Sequence, residues 1–380
     1  MSSRPTVLHV AQPTDGGVAR YVAAASADQM ARGWRVVVAC PDGGRLSEDL
    51  ATRGVRQLRW PAERAPGRAS VGEAQRLAHL VGLTAPHVVH LHSSKAGLAG
   101  RLALRGRLPT LFQPHGWSWL AVRGPVAAAT IRWERAATRW TEVIVCAGHD
   151  EATLGQAQRV RGRYAVVRNG VDLDRFRPAG DEARAAGRAR LGIDPQVPLA
   201  VCVGRVTRQK GQDLLLAAWP WIRARRPDAE LCLLGDGDLL PVLRVRSPAG
   251  VRFLGSVHDV RPWYAAADVV VLPSRWEGLS LALLEALVSG RPVVAAAVAG
   301  LAEAVPDGAG ELVPPSDPAA LAAAILRRLD DPARVRAESQ VAAQRAPEFD
   351  ARVTFDRLAA LTERAARLGG AASSFGRVEQ

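Results

Sequence analysis

Strand-like and helix-like apolar patterns alternate along the whole chain, and the strand-like runs are apolar at every position rather than at every second one. That pairing constrains the fold more than any other feature. Strands are predicted near Thr6–Val10, Arg35–Ala39, Val88–Leu91, Thr110–Gln113 and Val143–Cys146, then again near Leu199–Val203, Glu230–Leu234, Val251–Leu254, Asp268–Leu272 and Val293–Ala296. The segments between them have helical spacing. In VARYVAAASADQMARG, Val18, Tyr21, Val22, Ala25 and Met30 fall on one side. Continuous Val/Ile/Leu strands need cover on both faces, which means helices flanking parallel sheets. Two such sets of about 170 residues each imply an α/β chain of two doubly wound, Rossmann-like domains facing a cleft. The join is expected near VVRNGVDLDRFRP, where Asn-Gly is a turn signal. This gives domains over 1–170 and 171–349. A last helix, about 350–368, is free to pack back on the first domain, and the tail GGAASSFGRVEQ reads as disordered.

Composition excludes several classes. No apolar run approaches the roughly 18 residues of a membrane span. MSSRPTVLHV enters a strand pattern almost at once, which is not a signal peptide's pattern. The four cysteines lie in apolar runs with no C-x-x-C spacing, so buried reduced thiols are expected rather than disulfides or metal ligands. A cytoplasmic location follows as the expectation. The net charge of +13 suits phosphate-rich ligands or an anionic membrane surface, although an Arg-preferring composition with solvated charge reads the same way. No zinc-finger, RNP or basic-zipper pattern appears, so nucleic acid is not an expected partner.

Doubly wound sheets bind ligands beyond the carboxyl ends of their strands, so the residues just after each strand matter most. After Thr6–Val10, Gly16 and Gly17 stand at a strand-to-helix turn. There the backbone can approach a phosphate and a helix N-terminus supplies N–H groups, though a plain tight turn explains the glycines equally. After Leu199–Val203 comes GRVTRQKG. Arg205 and Lys210 suit a diphosphate, each charge-assisted hydrogen bond contributing about 1.5–3 kcal/mol. After Asp268–Leu272 comes PSRWEGLSLALLEALVSG. Helical spacing begins at Ser280, with Leu281, Leu284, Leu287 and Val288 as an apolar stripe and Gly290 as terminator. Glu277 precedes that helix and Glu285 lies inside it. Two carboxylates flanking the N–H groups of Gly278, Leu279 and Ser280 match a nucleotide sugar, which offers a ribose diol, a diphosphate and a second set of hydroxyls. Asp236-Gly237-Asp238 spells a D-x-D metal motif, but its place between a strand and a helix reads as a turn and helix cap. No other His/Cys/carboxylate pattern suggests a metal, so no metal or other cofactor is expected.

The ordered set of motifs resembles the retaining glycosyltransferases of family four, which have the two-Rossmann GT-B architecture. GRVTRQKG is similar to the family's G-R-x-x-x-x-K-G, and EGLSLALLE to its E-x7-E. NGVD, LLGDGD, FLGSVHDV, ADVVVLPS and EALVSGRPVV follow in the family's order, with HSSKAGLAGRLALR and QPHGWSW in the first half. Arg168 and Leu279 depart from the family pattern, which often has Pro before Asn-Gly and Phe-Gly after the first Glu. The resemblance implies that Arg205 and Lys210 bind the donor diphosphate, Glu285 the ribose hydroxyls and Glu277 the transferred sugar. It places backbone at Gly16, Gly17, Gly278, Leu279 and Ser280 around phosphates and sugar. It also places Val257 against the base and His115 near the transferred sugar. It further implies transfer of a hexose from a UDP- or GDP-sugar to an acceptor hydroxyl, with no metal and with the leaving diphosphate as base. The acceptor is a saccharide or a lipid-linked saccharide, in exopolysaccharide or glycolipid synthesis. A sugar-nucleotide epimerase or phosphorylase on the same architecture, and a non-catalytic nucleotide-sugar binder, are the rival readings. Full retention of Arg205, Lys210, Glu277 and Glu285 argues against the last.

The segment from Trp117 to Trp140 interleaves Trp117, Trp119, Trp133 and Trp140 with Arg123, Arg132, Arg135 and Arg139. Such a pattern suits the headgroup region of an anionic membrane, with peripheral attachment at its inner face. A helix packing its tryptophans into a core is the competing reading.

Overall fold

The computed structural model describes residues 4–64, 67 and 69–375. The chain divides into two compact units. One holds the residues up to Arg168 together with those from Val353 on, and the other runs from Asn169 to Arg352.

In the first unit, β1 (Thr6–Ala11), β2 (Arg35–Cys40), β3 (Arg56–Arg59), β4 (Val88–His92), β5 (Thr110–Gln113), β6 (Val143–Cys146) and β7 (Tyr164–Val166) form one sheet. Its order is β3-β2-β1-β4-β5-β6-β7, with every pairing parallel. The strand order reverses between β1 and β4, the crevice where a doubly wound sheet takes its ligand. The Gly16–Ala31 helix and the long Ala351–Phe375 helix cover one face, where Leu358 and Ala365 pack with Tyr21, Val88 and Val143. Trp60, Trp117 and Phe112 fill the other face.

In the second unit, β8 (Leu199–Val203), β9 (Glu230–Leu234), β10 (Val251–Gly255), β11 (Val269–Leu272), β12 (Val293–Ala296) and β13 (Gly310–Val313) pair in parallel in the order β10-β9-β8-β11-β12-β13. Here the reversal falls between β8 and β11. Leu215, Trp219, Ile222 and Ile325 pack on the sheet as a continuous core.

The central strands lie where their apolar runs predicted. Three strands were not read from the sequence: β3, β7 and β13. All lie at sheet edges, and their sequences RQLR, YAV and GELV are short and partly polar, as edges exposed to water tend to be. The tail reading also needs correction. The Ala351–Phe375 helix runs on through Gly369 and Gly370, while residues 376–380 lie outside those described. All four cysteines are buried and none is in a disulfide. Among the described residues no helix is long and apolar enough to cross a membrane.

Candidate active site

In the second unit the loops after β8 and β11 lie side by side because those strands pair. They are also stitched together. Arg275 donates to both carboxylate oxygens of Asp213 at 2.7 and 2.6 Å, its backbone N–H donates to the Gln209 carbonyl at 2.8 Å, and Gln209 donates to the Trp276 carbonyl at 3.2 Å. Gly211 has φ +69°, and a Cβ there would meet the Pro273 carbonyl oxygen at 2.1 Å, so only glycine lets the two loops approach.

This stitching brings together most of the second unit's predicted residues. Lys210 Nζ lies 2.5 Å from Glu277 Oε1, and Ser274 Oγ donates to that same oxygen at 2.8 Å. Both partners are largely buried, so the pair sits in a medium where charge attraction is strong. Arg205 is half-buried on the adjoining loop, whose carbonyl accepts from Gln212 at 3.0 Å. Ser280 caps the Leu281–Val288 helix by position, without a side-chain hydrogen bond. The Gly278–Ser280 turn is fixed from two sides: Asn169 donates to the Leu279 carbonyl at 2.6 Å, and the loop at Gly300 packs directly on it. Glu285, inside the Leu281–Val288 helix, is 1% exposed and accepts from the Tyr264 hydroxyl at 3.2 Å. Val257 lies in the loop after β10, at the same sheet edge.

Sequence reading did not foresee the Lys210–Glu277 pair, because it gave the two residues separate partners. It also needs correction at Asp236-Gly237-Asp238. The turn is there, with Asp236 Oδ1 accepting from the Gly237 N–H at 2.7 Å and the Leu239 N–H donating to the Val206 carbonyl at 3.1 Å. Neither aspartate caps the following helix, whose N-cap is Leu239. The turn instead packs against the Arg205 loop, since a Cβ on Gly237 would meet the Val206 carbonyl oxygen at 2.3 Å.

In the first unit the Gly16–Ala31 helix starts at Gly16 itself, with φ +81°. Asp15 stands at its N-cap but does not cap it. Its carboxylate accepts from Thr14 Oγ1 and from the Arg45 N–H, at 2.9 and 3.0 Å. His115 follows β5 with a left-handed backbone, φ +53°, a conformation costly for a residue with a Cβ. Its loop is held by Glu151, which accepts from the N–H groups of Gly116 and Ala147 at 2.6 and 2.7 Å.

His115 is one of four histidines brought together at the β1/β4 reversal. His9 lies opposite His90 in the strand register, and His92 follows two residues on along the same face. His9 Nε2 is 2.8 Å from Gln29 Oε1, His9 Nδ1 is 2.9 Å from His92 Nε2, and His92 Nδ1 is 3.1 Å from His115 Nε2. His9, His90 and His92 are fully buried. Burial lowers their pKa values: His9 falls to about 4 despite the opposing Gln29 hydrogen bond, His115 to about 3, and His90 and His92 well below the usual histidine range. At neutral pH all four are neutral imidazoles. Among the described residues, His9, His90 and His92 are also the group whose ligand atoms, within 4.8 Å of one another, could hold a metal ion. No such cluster was read from the sequence, yet one signal was present: in VVHLH the two histidines alternate, which puts both on one face of a strand.

The segment from Trp117 to Trp140 divides. Trp117 and Trp119 stack at 4.5 Å between ring centroids inside the first unit's core, so the membrane reading fails for these two. Trp117 also donates to the Glu151 carbonyl at 2.7 Å. The Gly124–Ala137 helix buries only Glu134 and Ala137, and Arg123, Arg132, Arg135 and Arg139 are exposed.

Two parallel doubly wound sheets, each reversing its strand order at its middle, constitute the GT-B architecture. A sucrose-phosphate synthase from Thermosynechococcus elongatus matches it with a TM-score of 0.80 at 24% identity, covering 95% of this chain and 99% of that one, a likeness of fold. The family described as Glycosyltransferase Family 4 matches residues 15–175, and that described as Glycosyl transferases group 1 matches residues 197–331. A GDP-mannose-dependent alpha-(1-6)-phosphatidylinositol monomannoside mannosyltransferase of Mycolicibacterium smegmatis is 31% identical over 86% of this chain and 88% of its own length. The chain belongs to glycosyltransferase family 4. A monoacylated-acceptor counterpart from Corynebacterium glutamicum is 35% identical over 51% of this chain and 55% of its own, and a D-inositol 3-phosphate glycosyltransferase of Streptomyces avermitilis is 38% identical over 50% and 44%. The matched region thus spans about half the length of these two relatives.

Proposed function

We propose that the chain is a retaining hexosyltransferase that moves a hexose from a nucleoside-diphosphate sugar to an acceptor hydroxyl without a metal. The observation that carries this is the joined β8 and β11 edge, where Arg205, the Lys210–Glu277 pair and the N-terminus of the Leu281–Val288 helix meet. Arg205 and Lys210 supply positive charge for a diphosphate, and the helix end supplies N–H groups. Glu277 takes hydroxyls of the hexose, Glu285 those of the ribose, and Val257 lies against the base. The leaving diphosphate takes the acceptor proton on the face it departs from. Gly16, Gly17 and His115 stand on the first unit, which holds the acceptor.

Of UDP- and GDP-sugars, the relatives named as GDP-mannose-dependent favour GDP-mannose, and their names favour an inositol lipid as acceptor. The exposed arginines of the Gly124–Ala137 helix suit an anionic bilayer carrying such an acceptor. The test is release of nucleotide and sugar from a panel of UDP-, GDP- and dTDP-sugars, with and without EDTA and with phosphatidylinositol mannoside vesicles. Transfer from GDP-mannose with retained anomeric configuration and no loss in EDTA is expected. Inversion, a strict need for Mn²⁺ or Mg²⁺, or a changed sugar released without an acceptor would overturn the reading.

A further inference from the structure

The four histidines at the β1/β4 reversal form a chain whose hydrogen-bond directions can be followed from one end to the other. The Gln29 carbonyl oxygen can only accept, so His9 Nε2 carries a hydrogen and donates to it at 2.8 Å. A neutral imidazole has one N–H, so His9 Nδ1 is an acceptor. His92 Nε2–H therefore donates to it at 2.9 Å, which leaves His92 Nδ1 as an acceptor. His115 Nε2–H donates to that atom at 3.1 Å. His115 is then left with a bare Nδ1. We propose that Gln29, His9 and His92 are positioning residues which fix the tautomer and ring orientation of His115, so that it presents a lone pair, and no N–H, to a sugar hydroxyl. That His115 meets a sugar rests on the transferase reading above; the tautomer itself does not.

Three features support a relay over an accident of packing. The chain lies in the core, with His9 and His92 fully buried, where a broken link leaves a polar atom unsatisfied. Its last member sits in a left-handed backbone at a strand end, held by Glu151, a strained geometry that stable folds keep at functional positions. The Tyr21 ring closes the edge of His115 at 5.2 Å between centroids, which limits its rotation. His90 lies 4.0 Å from the His92 ring and turns to Gln113 rather than to the other histidines, outside the chain of donors. A dication at His9, His90 and His92 would break the relay, because coordination takes the lone pairs that the chain uses.

The experiment is ¹⁵N NMR of the full-length protein labelled at histidine, with assignment by single His→Asn variants. His115, His92 and His9 should each report the Nε2–H tautomer. Gln29→Leu should turn His115 into a mixture of tautomers while the far-UV spectrum and melting profile stay those of a folded chain. In turnover assays Gln29→Leu should lower kcat on the order of 10- to 100-fold with little change in nucleotide-sugar KM. An Nδ1–H tautomer at His115 in the unaltered protein overturns the proposal. So does stoichiometric Zn²⁺ or Co²⁺ retained after dialysis and lost in the His90→Asn variant. A correct tautomer without glycosyl transfer would overturn the transferase reading and leave the relay standing.

Discussion

Acidification should loosen the first unit well before ordinary acid denaturation. His9, His90 and His92 are fully buried, and burial holds their pKa values well below the unfolded value of about 6.5. The unfolded chain therefore binds more protons than the folded one as pH falls. The stabilisation is present above about pH 6.5 and is lost below it. From pH 7 to pH 5.5, each ring that stays neutral in the fold loses on the order of 1 kcal/mol against the unfolded chain, so the three together lose roughly 3–4 kcal/mol. His115 is half-buried and adds less. With two units in one chain a single melting temperature mixes transitions, so the assay is amide hydrogen exchange followed on β1 and β4. After correction for intrinsic exchange, protection there should fall roughly 10³-fold between pH 7 and 5.5. His90→Leu should remove roughly a third of that dependence. Equal protection at the two pH values would refute the buried, neutral cluster.

Lys210→Ala should weaken nucleotide-sugar binding by about 1.5–3 kcal/mol in titration calorimetry, and unchanged affinity would remove it from the diphosphate site. Glu277→Gln should lower turnover while free GDP binds almost normally, since the carboxylate is assigned to the sugar; loss of GDP binding would show it misplaced. Gly300→Ala should destabilise the second unit by at least about 2 kcal/mol in urea unfolding, because its φ is +79° and a Cβ would lie 1.5 Å from the Gly278 carbonyl oxygen. Binding to anionic vesicles should weaken with salt and fall when Arg132 and Arg135 become Gln, at roughly 1 kcal/mol per cation, and no sedimentation at low salt would leave a soluble acceptor.

The central strands and the loops that carry the second unit's candidate residues were legible because both are written locally. Runs such as VVVL and LAVCV have the length and branched apolar composition of buried parallel strands, and the candidate donor-site residues follow them at short spacing. The edge strands RQLR and YAV carry no such signal, since both are short and neither contains a fully buried residue. The Lys210–Glu277 pair and the histidine cluster depend on which strands become neighbours. Lys210 and Glu277 are 67 residues apart and His9 and His92 are 83 apart, so no window along the chain contains either contact. Trp117 and Trp119 misled for the opposite reason. Alternation of tryptophan with arginine is a local pattern that a core and a membrane surface satisfy equally, and only tertiary packing separates them.

The path of the chain sets an order on its own assembly. The second unit is one uninterrupted stretch, while the first is completed by a helix that begins beyond the second unit's end. On a ribosome releasing the chain N-terminus first, the residues up to Arg168 emerge with Tyr21, Val88 and Val143 lacking the cover that Leu358 and Ala365 later give them. That apolar strip waits for its cover while some 180 further residues are made. The last helix is the step that closes it.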